Sequence, residues 1–266
     1  MAQVPKVRLA GGLEICRILN GMWQVSGAHG PVDHPKAVQA MQAYIDAGLT
    51  TFDMADIYGP AEEIFGHFNS QLKSKPSCDA APPLQGLTKW VPRPGPMDRK
   101  VQYSLIDQRP AAKMEAVCLS HGIQLLTYGT LAGGLLSERY LGKAEPTSRV
   151  ELNTASLSKY KKVIDGWGRW GLFQELLVVL DSVAQGHSCS IANVATRYIL
   201  DRPAVAGVIV GCRLGVAGAE HIKDSLHSCS PELELTAQDL RTIDGVLQRS
   251  RDLMSLIGDC GDEYRN

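Results

Sequence analysis

The sequence predicts an α/β fold in which strands and helices alternate and a β-hairpin comes first. Three observations carry this. Short apolar, β-branched runs recur at 49–52, 123–128 and 205–211, each too brief for a helix and bordered by glycine. Between them, apolar residues return at helical spacing, as at 38, 41 and 45 or at 64, 65, 68 and 72. No internal repeat or low-complexity stretch points to another architecture.

Residues 7–10 and 13–16 read as two short strands around Gly11-Gly12, a hairpin signal. A further strand is expected over 18–25. The first helix begins with Asp33 as cap and Pro35 in its first turn, and Gly48 ends it. Strand 49–52 and a helix over 61–73 follow, then a strand over 85–90. Pro92, Pro94 and Pro96 make the next segment rigid and non-helical, and 101–106 reads as another strand. A helix over 111–121, capped by Gly122, leads into strand 123–128. A glycine-rich loop at 129–136 comes after it. Helices are expected over 156–170, 172–185 and 190–201, the last strand over 205–211, and helices over 218–226 and 236–253.

Composition narrows the function. The net charge of −1, with no basic stripe interleaved with aromatics, excludes a general attraction to nucleic acid or anionic membrane. No run approaches the roughly 18 apolar residues of a membrane span, and residues 1–6 show no apolar leader core. A soluble protein, cytoplasmic or organellar, is therefore expected. The seven cysteines form no CxxC pair and the histidines no ligand pattern, which argues against disulfides and predicts no metal.

The chemistry concentrates at 48–59, GLTTFDMADIYG, where a buried strand climbs to Asp53 and a short loop carries Tyr58. Together with GMWQVSG (21–27), LTKW (87–90), VQYSLIDQRP (101–110), IQLLTYGTLAGGLLSERYLG (123–142) and VIVGCRLGVAGAEHIKDS (208–225), in that order, it resembles the aldo-keto reductase family. The resemblance implies a single domain over 1–266, a TIM-type (β/α)8 barrel opened by a β-hairpin, with its site at the C-terminal strand ends. It implies hydride transfer between NADPH and a small aldehyde or ketone. A phenol with its ordinary pKa near ~10 is a poor proton donor at neutral pH, and a nearby ammonium corrects that by favouring the phenolate. By resemblance Tyr58 is the acid, Lys89 its cationic partner and Asp53 the anchor of the lysine.

Also by resemblance, Tyr128 stacks on the nicotinamide ring and Gln102 touches its amide. Gly129, Leu131 and Gly133 lie by the pyrophosphate, while Gly211, Arg213, His221 and Ser225 belong to the adenosine-phosphate region. At His221 relatives often carry arginine or glutamine, which leaves NADP against NAD open. The family's fourth catalytic residue, a histidine on the strand after the lysine strand, has no counterpart, and neither has its asparagine-bearing strand. His121 closes a helix instead. Only eleven residues separate Lys89 from Val101. A parallel crossover needs about a dozen or more, usually including a helix. An internal deletion near 100/101, of roughly 70 residues against the family's barrel, is thus expected, with about six barrel strands assignable. Such a barrel leaves an open edge, closes with fewer strands, or folds poorly. Two functions stay open: an NADP-dependent reductase with an incomplete tetrad, or a catalytically impaired truncated isoform serving as a non-enzymatic cofactor-binding or interaction protein.

Overall fold

The computed structural model describes residues 4–9, 11–74, 83–89, 101–216 and 221–258. Ala10, Trp90, the prolines at 92–96, Cys78, Cys260 and the start of the helix expected from 218 lie outside the described residues. Strands β1 (Lys6–Arg8) and β2 (Glu14–Cys16) form the expected antiparallel hairpin, with Val7 opposite Ile15. Five further strands make one parallel sheet: β3 (Ile18–Gly21), β4 (Thr51–Asp53), β5 (Gln85–Leu87), β6 (Leu125–Thr127) and β7 (Val205–Gly211). Their order is β5-β4-β3-β7-β6. The two ends of the chain thus form its centre, Ile18 to Gly21 pairing with Val208 to Gly211. Parallel pairing puts every C-terminal strand end on one side. The register lines up Leu87, Asp53, Gly21 and Gly211 in a row.

The sixth expected strand, at 101–106, is not formed. Gln102 makes a single parallel bridge to Tyr128, and the chain then turns, Ser104 and Asp107 exchanging backbone hydrogen bonds. The cause is the buried Asp107 carboxylate. Arg109 donates to both of its oxygens (2.8 and 2.7 Å) and Gln102 Nε2 donates to Oδ2 (2.7 Å), folding the segment back after a few residues. Among the described residues the sheet is therefore open, with β5 and β6 at its rims, rather than closed into a barrel.

Asp33 caps α1 (His34–Asp46) by accepting from the Lys36 N–H, and Gly48 at φ +85° lets the chain leave the helix. Helix α2 (Ala61–Lys73) falls where periodicity puts it, burying Ile64 and Phe68. Strand β3 stops at Gly21, and the residues beyond it curl into a 3₁₀ turn, Trp23–Ser26. The single helix expected at 111–121 is two, α3 (Arg109–Ala112) and α4 (Met114–Ser120), broken where Lys113 leaves helical geometry at φ −145°. His121 caps α4 and its Nδ1 lies 3.0 Å from the Val117 carbonyl oxygen. Helices α5 (Ala155–Trp167) and α6 (Arg169–Gly186) meet at Gly168, and Arg169 takes φ +62°. A reciprocal Ser190–Asn193 capping box opens α7 (Ile191–Leu200).

Helix α8 (Ile222–Ser228) is followed by two helices where one was expected. α9 (Ala237–Leu247) ends before the polar Ser250-Arg251-Asp252, and Asp252 caps α10 (Leu253–Ile257). Phe173, Leu176, Leu177 and Leu180 of α6 pack with Ile191, Val194 and Ile199 of α7 in the core. Cys16, Cys118, Cys189, Cys212 and Cys229 are free thiols, and among the described residues no metal-holding cluster forms.

Candidate active site

Strand β4 delivers Asp53 to the C-terminal end of the sheet, buried, one residue before the loop that carries Tyr58. The chain beyond β5 runs alongside this loop. Met54 N–H donates to Leu87 O (2.7 Å) and Asp56 N–H to Lys89 O (3.2 Å), which fixes the lysine backbone beside the carboxylate. The Lys89 ammonium then donates to Asp53 Oδ1 (2.9 Å), Asp53 Oδ2 (2.8 Å) and Met54 O (2.8 Å). It also lies 4.7 Å from the centroid of the Tyr58 ring. The three residues expected to act together are thus together, with the ammonium over the face of the phenol. Beside them Cys212 donates to Gly21 O. Burial, and then the Asp53 charge, pushes its thiol up to about 12, so it stays protonated and is no nucleophile.

The second group gathers at the ends of β6 and β7. Tyr128 follows β6 and bridges Gln102, whose amide nitrogen is committed to Asp107. The loop holding Gly129, Leu131 and Gly133 turns back under the first two turns of α5. A Cβ at Gly129 would lie 2.3 Å from the Tyr160 hydroxyl, and one at Gly133 within 2.9 Å of both Tyr160 and Ser156. These glycines therefore admit α5. Gly211 ends β7 with the Gln24 amide lying directly on it, 2.1 Å from where a Cβ would stand. Arg213, two residues on, is exposed and donates to His29 O (3.3 Å). His221 stands exposed at the start of α8, and Ser225 is buried one turn later with its N–H on His221 O. Residues 217–220, between Arg213 and His221, lie outside the described residues.

Several residues at this end carry no signal in the sequence. His29 is buried, with Nε2 2.8 Å from Ser156 Oγ and its ring edge-on to Trp23. Burial, reinforced by the Arg213 charge, holds its pKa below the ordinary imidazole value. His29 Nδ1, Gln24 Oε1 and Ser104 Oγ are buried without a hydrogen-bond partner among the described residues. Lys159 of α5 reaches over the Tyr128 ring, 5.1 Å from its centroid. The His29–Ser156 contact joins residues more than a hundred positions apart and the Lys159–Tyr128 contact depends on how α5 lies, so no local spacing announces them.

The aldo/keto reductase family profile matches this chain in two pieces, residues 17–100 and 92–248. A stretch of 103 residues is 30% identical to flagellar radial spoke protein 5 of Chlamydomonas reinhardtii, amounting to 38% of this chain and 19% of that protein. Among solved structures, the fold is similar to a glycerol dehydrogenase from Gluconobacter oxydans, with TM-score 0.69 and 16% identity over 92% of this chain and 95% of that one. It is similar also to an aldo-keto reductase from Klebsiella pneumoniae in complex with NADPH, with TM-score 0.61 and 16% identity over 93% and 96%. At such identities the structural likeness speaks for the fold alone. The profile match spans most of the sequence and includes Asp53, Tyr58 and Lys89, so the chain belongs to the aldo/keto reductase family.

Proposed function

We propose that the protein transfers hydride between NADPH and a small aldehyde or ketone. The observation that carries this is the Asp53–Lys89–Tyr58 constellation at the C-terminal end of a parallel sheet. Tyr58 Oη gives its proton to the carbonyl oxygen, and the Lys89 ammonium favours the phenolate left behind. Asp53 takes two of the ammonium's bonds and keeps it in place.

The residues at the ends of β6 and β7 fit a nicotinamide dinucleotide. Tyr128 offers a ring to stack on, Gln102 adjoins it, and the exposed Arg213 guanidinium suits a phosphate. The orphaned polar atoms of Gln24, His29 and Ser104 need partners that the described chain does not supply. By resemblance Gly129, Leu131 and Gly133 lie by the pyrophosphate, and Gly211, His221 and Ser225 belong to the adenosine-phosphate region. The cofactor, when bound, supplies the hydride. The NADPH complex of the Klebsiella pneumoniae relative supports the choice of cofactor.

Titrating NADPH while following tryptophan fluorescence, then assaying an aromatic aldehyde, tests this. Saturable binding is expected, with turnover falling about 10²- to 10⁴-fold in Tyr58→Phe. Absence of binding would sink the proposal. Binding without turnover would favour a second reading, a non-enzymatic cofactor-binding protein. The two-piece family match favours that reading, since it is what loss of an interior segment near residue 100 would produce.

A further inference from the structure

We propose that Asp107 is a positioning residue of the site: it sets the Gln102 side-chain amide so that Oε1, and not Nε2, is left to meet a ligand. This rests on the proposed function, in which Gln102 meets the carboxamide of the cofactor. The Asp107 carboxylate is fully buried, and among the described residues it accepts four hydrogen bonds. Arg109 supplies three, from its backbone N–H (3.3 Å) and Nε (2.8 Å) to Oδ1 and from Nη2 (2.7 Å) to Oδ2. Gln102 Nε2 supplies the fourth, to Oδ2 (2.7 Å).

A carboxylate paired with a guanidinium has lone pairs to offer and no proton to give. It draws the nitrogen end of a neighbouring amide and repels the oxygen end, so chemistry alone dictates which way Gln102 turns. The backbone of Gln102 is pinned as well. Tyr103 N–H donates to Tyr128 O (3.1 Å) and Tyr128 N–H to Val101 O (3.3 Å), on either side of a buried side chain. Arg109 is itself anchored, its Nη1 donating to Gly258 O (2.8 Å) at the end of α10. Among the described residues Gln102 Oε1 accepts no hydrogen bond. An acceptor held in this way rewards a ligand that brings an N–H. It gives nothing to an isostere that brings only a carbonyl oxygen and a methyl group.

The test compares dissociation constants for NADPH and for its analogue with an acetyl group in place of the carboxamide, by fluorescence quenching, in wild type, Asp107→Asn and Gln102→Met. The two nucleotides share their phosphates and ring charge, so a variant that merely loosens the fold weakens both alike. Wild type is expected to bind NADPH about three- to tenfold more tightly than the analogue, the worth of one hydrogen bond. That preference should fall to near parity in both variants. An Asn amide can turn either end to Gln102, and a Met side chain has no amide to set. A second readout needs no ligand. The side-chain amide protons of Gln102, held on a carboxylate, should exchange with water about tenfold or more slowly in wild type than in Asp107→Asn, followed by NMR. Equal wild-type affinity for the two nucleotides overturns the inference and leaves the proposed function standing. So does a preference that survives in either variant, or amide exchange that Asp107→Asn does not change. If wild type binds neither nucleotide, the proposed function fails and the inference with it.

Discussion

Lys89 gives two hydrogen bonds to the Asp53 carboxylate, from thirty-six residues away, while its ammonium lies over Tyr58. Fixing the cation and placing it over the phenol ring is thus one arrangement. Its cost of disruption follows from burial. Asp53 is nearly enclosed and Lys89 about one-third exposed. Replacing Asp53 by Asn leaves the ammonium with an amide and the Met54 carbonyl. Breaking a fully buried pair costs about 3–5 kcal/mol, and solvent at Lys89 discounts that to about 1–2 kcal/mol. Urea unfolding of Asp53→Asn should show this loss, alongside a fall in aldehyde turnover larger than the stability change explains.

Gly129 and Gly134 separate strain from collision. Both sit at positive φ, +74° and +97°, but only Gly129 faces a side chain, the Tyr160 hydroxyl. Gly134→Ala should cost about 1 kcal/mol, the conformational penalty alone. Gly129→Ala should cost about 2–4 kcal/mol, because Tyr160 and with it α5 must move. Thermal unfolding of the two variants side by side measures the difference.

His29 gives stability a pH dependence. Its folded pKa is depressed by burial and then by the Arg213 charge. Between its unfolded value, about 6.5, and the lower folded one, the unfolded chain binds the proton and the native chain does not. The contribution is complete above pH about 6.5 and is lost as pH falls toward the folded pKa. His29→Gln should flatten the slope of unfolding free energy in that window.

A second acid-labile element lies at Glu115. Burial alone would raise its pKa, but a two-bond contact from Arg202 and the Tyr103 hydroxyl at 2.9 Å outweigh it, leaving it below the usual carboxylate range. Its stabilisation is present above the unfolded pKa, about 4.3, and drains away as pH falls through the folded value. Glu115→Gln should lower stability at neutral pH and shrink the further loss between about pH 5 and 3, as acid titration followed by circular dichroism will show.

Local chemistry explains which parts were legible in the sequence. Helix α2 has its boundaries in the pattern of 64, 68 and 72, and strand β7 is an unbroken apolar run, so both stand where expected. The Asp53, Tyr58 and Lys89 assignment rests on motif order, and packing brings the three together. Residues 101–106 misled because alternation promised a strand, whereas the Asp107–Arg109 pair, a buried side-chain interaction, turns the chain. The break at Lys113 is likewise a backbone outcome of packing that helical periodicity cannot distinguish from continuity, whereas the join at Gly168 falls three residues before the break expected at 171. The approach of α5 to the loops after β3 and β6 links residues 28, 29 and 129 with 155, 156 and 160, and no window of sequence contains it.

The order β5-β4-β3-β7-β6 has a consequence for how this domain tolerates change in length. Its central trio joins residues near 20, 50 and 208, while residues 89 and 101 follow β5 on one rim and precede the bridge beside β6 on the other. The described residues that flank this interval therefore stand at the two rims, outside the central trio. The pairings of the middle strands, with Asp53 at the C-terminal end of β4, use residues 18–21, 52–53 and 208–211 and none from that interval.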